Sequence, residues 1–156
     1  EGSEMSKFAK GTTVSVEKSR AEIETLLKKH GIADVGIMSY GGVAVVVFRR
    51  GAVSYKLTMP ALDPTSKQFT HNGWNVLSER QSEAKYQQEE RRRWRALGLV
   101  LKAKLVAASD GVVTFEQEFL AFALTQDGQT VGERIIPQLE TGSLDVMRLA
   151  LPGVTQ

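Results

Sequence analysis

Arg91, Arg92, Arg93 and Arg95, followed by Lys102, concentrate guanidinium and ammonium groups in a short stretch of the chain. Such groups bind phosphate oxygens. If the stretch is helical, each residue turns by about 100 degrees from the last, so Arg91, Arg95 and Lys102 share one face and Arg92 points elsewhere. That face can contact a phosphate backbone without reading base sequence. Lys7 and Lys10, in a leading arm, can reach the same partner. Glu89 and Glu90 lie beside the cluster, however. The same letters therefore also describe a solvated helix face or a protein interface held by ion pairs.

Other chemistry has less to stand on. His30 and His71 are the only histidines, and no conventional zinc spacing joins them to carboxylates. His30 reads as a helix-end histidine rather than a catalytic one. Glu83-Ala84-Lys85 has the form of the end of a nuclease Glu-x-Lys arrangement, with Asp63 as a distant acid. Cleavage would require these carboxylates to converge on magnesium, and Glu83 and Lys85 do not share a helix face. Neither the phosphate-loop nor the dinucleotide pattern occurs, and Gly41-Gly42 is explained by a tight turn. No nucleophile turn selects a Ser-His-Asp relay. The reading is thus of a non-catalytic protein with no assigned catalytic residue, cofactor or metal ligand. A metal-dependent nuclease is the enzyme alternative.

With 156 residues, 42% of them hydrophobic, the chain can build one continuous core and is small for two domains. The 20 basic and 18 acidic residues nearly cancel to +2, so only local clusters carry an electrostatic argument. Cysteine is absent, which removes disulfides, thiolate metal sites and cysteine nucleophiles. No apolar run reaches the length of a membrane span. A soluble, cytoplasmic protein without membrane attachment is expected. Glu1 to Glu4 read as an expression remnant before a natural start at Met5, and residues 1–14 as that remnant and a flexible arm. Residues 15–151 read as one α+β domain and residues 152–156 as a loose end.

The elements that must position the cations follow from periodicity. Ser15 can cap a first helix from Val16 to His30-Gly31, with Val16, Ile23, Leu26, Leu27 and His30 inward and Glu24 and Lys28 paired outside. Val35–Met38, Val43–Arg49 and Val53–Met59 read as strands of an antiparallel meander, ended by Pro60. Residues 63–74 form a loop by composition, with Phe69, His71 and Trp74 as anchors to the core. Ser78 with Gln81 opens a long helix that closes at Asp110-Gly111. Its stripe of Trp94, Leu97, Leu101, Leu105 and Ala108 seats on the sheet. Thr114 with Gln117 and Thr130 with Glu133 mark two further helix starts, the second limited by Pro137. A hairpin through Asp127-Gly128 is the alternative for residues 115–136. A last short helix fits Ser143–Leu151.

Three stretches, residues 11–19 (GTTVSVEKS), 92–97 (RRWRAL) and 126–133 (QDGQTVGE), together resemble small proteins encoded by bacteriophages and prophages. The resemblance implies a phage-related or mobile-element role in a host cytoplasm, in DNA metabolism, host-defence interference or assembly. It transfers no catalytic residue. Two functions follow as expectations: nucleic-acid binding through Arg91, Arg95, Lys102, Lys7 and Lys10, or a protein-interaction module that self-associates through the sheet or the long helix.

Overall fold

The computed structural model describes residues 12–40 and 42–144. Helix α1 (Val16–Lys29) leads into a meander of β1 (Asp34–Tyr40), β2 (Val43–Arg50) and β3 (Val53–Met59). A short helix α2 (Lys67–Thr70) and a small hairpin of β4 (His71–Asn72) and β5 (Asn75–Val76) precede the long α3 (Glu79–Ser109). Helices α4 (Phe115–Phe119) and α5 (Val131–Glu140) follow. The α+β architecture expected from the sequence is therefore the one observed. Among the described residues, no helix is long and apolar enough to cross a membrane.

Capping sets the helix boundaries. Ser15 accepts from the Lys18 amide at the start of α1, and Gly31, at φ +78, lets the chain leave its end. Ser78–Gln81, Thr114–Gln117 and Thr130–Glu133 each form a reciprocal capping box, opening α3, α4 and α5. Gly111, at φ +71, follows the last turn of α3.

The sheet order is β1-β2-β3, antiparallel throughout, with Val46 opposite both Ile37 and Leu57. Alternation puts Ala44, Val46, Phe48, Tyr55 and Leu57 on the buried face. They share one core with Ile23 and Leu27 of α1, Trp94, Leu101 and Leu105 of α3, and Phe115 and Phe119 of α4. Leu97 and Ala108 pack at its margin, completing the expected stripe. Phe48, Tyr55, Phe115 and Phe119 form an aromatic cluster in which Phe115 and Phe119 stack at 4.5 Å and Phe48 meets Phe119 edge-on at 5.6 Å.

Three local expectations change. Residues 63–76 contain α2 and the β4–β5 hairpin; Phe69 is buried against Tyr86, whereas Trp74 is 101% exposed and anchors nothing. A turn with Gly73 at φ +63 carries Trp74 at the hairpin tip, away from the core. In residues 115–136 both readings hold in part. Phe115–Phe122 is helical, ending in a 3₁₀ turn, and the chain then doubles back through Asp127-Gly128 with a single bridge between Leu124 and Thr130. Pro137 does not stop α5, which runs on to Glu140; proline removes one amide donor but leaves its carbonyl, which accepts from the Thr141 amide. Residues 1–11 of the expected arm and most of the expected last helix lie outside the described residues.

Candidate functional site

Helices α1 and α3 lie side by side, and between their outward sides runs an open groove of about 510 Å³. Its α1 wall carries Lys18, Glu22, Thr25 and Lys29, spaced so that they share one helix face. Its α3 wall carries Arg95, Gly98, Leu99 and Lys102, again on one face. Ala21, Thr25 and Gly98 are small, and Ile23 beneath them belongs to the core. The groove exists because the inward side of each helix is apolar, which turns the two cationic sides toward a common opening.

The electrostatics are unbalanced. Lys18, Lys29, Arg95 and Lys102 face a single carboxylate, Glu22. Arg95 donates through Nη1 to Glu22 Oε2 at 2.5 Å, and both side chains stay over one third exposed. Among the described residues, Lys18, Lys29 and Lys102 have no ion-pair partner. Lys18 and Lys29 stand roughly 16 Å apart along α1, and Arg95 and Lys102 roughly 10 Å apart along α3.

The sequence-predicted cations are thereby sorted. Arg95 and Lys102 meet in the groove. Arg91 does not join them: its guanidinium is half-buried and donates to Gln88, whose own amide donates to the Thr12 carbonyl. Arg92 is held by Glu89 at 2.6 Å, and the hydrogen bonds it donates to that carboxylate keep the guanidinium above its usual range. Arg93 donates to the Pro60 carbonyl at 2.7 Å. Lys7 and Lys10 lie outside the described residues. Lys18 and Lys29 are not among the sequence-predicted cations, although their spacing with Glu22 on α1 is a signal that could have found them.

The remaining candidates are dispersed. Asp63 accepts from the Thr65 hydroxyl and amide, which pull its carboxyl below the usual range. Glu83 accepts from Gln87, and Lys85 donates to the His71 carbonyl. His30 Nδ1 lies 2.9 Å from Ser109 Oγ, tying the end of α1 to the end of α3, while His71 Nδ1 lies 2.8 Å from Thr70 Oγ1. Among the described residues, no group of three or more histidine, aspartate or glutamate side chains is placed to hold a metal ion.

Chemically, the groove offers cations in two rows beside a mostly apolar lining of Ala21, Ile23, Leu26, Gly98 and Leu99. No asparagine or glutamine lines it, so the amide pair that reads adenine is missing from its walls. The chain matches no protein-family model, no curated protein and no solved structure.

Proposed function

We propose that the protein binds nucleic acid through phosphates seated along the α1–α3 groove, largely independently of base sequence. The observation that carries the reading is the lining itself: Lys18, Lys29, Arg95 and Lys102 against the lone Glu22. Two rows of cations suit a polymer that carries one negative charge after another along its strand. A role for such binding in a mobile element's handling of DNA or RNA is part of the same proposal. Lys7 and Lys10, outside the described residues, are part of the same proposal as further phosphate contacts.

The test is fluorescence anisotropy with a labelled oligothymidylate and a mixed-sequence duplex over a salt series. The native chain should bind both with a logarithmic affinity that falls linearly with logarithmic salt. Lys18→Glu, Lys29→Glu and Lys102→Glu should each weaken binding and flatten that line, by about 0.7–0.9 in slope for each phosphate no longer neutralised. Unchanged binding in all three variants, or capture of an acidic protein surface but neither nucleic acid, rejects the reading.

A second reading, self-association, rests on the outer face of the sheet. There Met38 is 54% and Tyr40 91% exposed beside half-buried Val43, Val45 and Val47. Light scattering across micromolar concentrations decides it: a mass that rises with concentration and falls back in Tyr40→Glu supports association, and a constant monomer rejects it.

A further inference from the structure

We infer that Glu22 is a resident counter-ion of the groove, occupying the Arg95 guanidinium until an incoming phosphate displaces it. The inference rests on the phosphate-binding reading of the same groove and adds how that groove is regulated. Glu22 and Arg95 reach each other from different helices, Glu22 Oε2 standing 2.5 Å from Arg95 Nη1. No second partner holds either side chain among the described residues, and the pair lies in the groove wall at 44% and 37% side-chain exposure rather than in the core.

A guanidinium offers its planar fork to either a carboxylate or a phosphate, and the two compete for the same N–H groups. While Glu22 holds Arg95, three lysines alone present unpaired charge to the opening. When a phosphate takes the fork, Glu22 swings to solvent, as an exposed side chain on a helix surface can do at small cost. The groove then engages one more cation than it shows at rest. Glu22 also sets a threshold: a lone small anion gains little by displacing it, whereas a polymer already held by Lys18, Lys29 and Lys102 delivers its next phosphate at high effective concentration.

The experiment compares the native chain with Glu22→Gln, Arg95→Ala and the double variant, each titrated with labelled oligothymidylate across a salt series. Glu116→Gln removes an equal charge from the exposed pair with Arg50, neither of which lines the groove, and serves as control. Expected are a few-fold tighter binding in Glu22→Gln at an unchanged slope, because Arg95 meets a phosphate in both complexes, and a slope shallower by about 0.7 in Arg95→Ala for a single strand. In the Arg95→Ala background the same change should bring only the small gain seen with Glu116→Gln. A gain in Glu22→Gln that persists undiminished without Arg95, or that Glu116→Gln equals, overturns the inference while leaving the groove as a binding site. Failure of both the native chain and Glu22→Gln to bind overturns both readings together.

Discussion

A methyl group on Gly98 would stand 3.5 Å from Cγ1 of Ile23, an ordinary van der Waals distance. The glycine lies mid-helix in α3, where α1 crosses it, and its φ is not positive. Neither close approach nor backbone conformation therefore requires it. Glycine in a helix interior is less favourable than alanine by roughly 0.5–1 kcal/mol. Gly98→Ala should stabilise the fold by about that amount, raising the midpoint of a thermal melt by a few degrees. A lowered midpoint would show that α1 and α3 lie closer than this distance allows.

The two tryptophans should behave oppositely. Trp94 is 1% exposed in the core, with the Arg20 guanidinium 5.6 Å from its ring centroid, and Trp74 is wholly exposed. Trp94→Ala should cost about 3–5 kcal/mol in denaturant unfolding. Trp74→Ala should stay within about 0.5 kcal/mol of the native chain. Fluorescence separates them independently: the emission removed in Trp74→Phe should be the red-shifted component that a soluble quencher reaches first.

Arg20 guards the free edge of the sheet. Its Nη2 donates to the Ile37 carbonyl at 3.1 Å, and β1 has no strand on its other side among the described residues. Charged groups laid on an edge discourage pairing with other chains. Arg20→Ala should lower unfolding stability by about 1.5–3 kcal/mol, the range for a hydrogen bond to a charged group. It should also increase association measured by light scattering. An unchanged denaturation midpoint would mean the edge needs no such donor.

Asp127 gives the turn before α5 a pH dependence. The Thr125 hydroxyl, then Arg134, hold its carboxyl down at about 2. A carboxyl depressed in the folded state contributes stability that is fully present above its unfolded value, about 3.9. That contribution is lost as pH falls through about 2. Asp127→Asn should melt earlier than the native chain at neutral pH, with the difference closing between those two values. A difference independent of pH down to the lower value would assign the effect to turn geometry and not to charge.

Which parts of this architecture are local in origin is plain from particular residues. Ser78 with Gln81, Thr114 with Gln117 and Thr130 with Glu133 satisfy orphan amides within one turn, so three helix starts are readable at short range. The alternation of Val53, Tyr55, Leu57 and Met59 with Ser54, Lys56 and Thr58 likewise assigns a face to each side chain of β3 without reference to any partner. Trp74 escapes such reasoning because an aromatic residue in a polar stretch carries no local mark of whether a turn aims it inward or outward. Pro137 escapes it too, since loss of one donor near the end of an exposed helix is tolerated.

By itself, then, the sequence determined the class of fold, the helix caps and the apolar stripes, because those depend on hydrogen bonds and periodicities within a few residues. Tertiary structure alone decided the candidate site. Arg91 and Arg95 share a helix face, yet Gln88 engages one and Glu22 of α1 the other. Lys18 and Lys29 join Lys102 only because α1 packs against α3 with its cationic side turned to the same opening. The angle at which two helices meet comes from how the side chains of both interlock, a relation between distant segments that no stretch of either one contains.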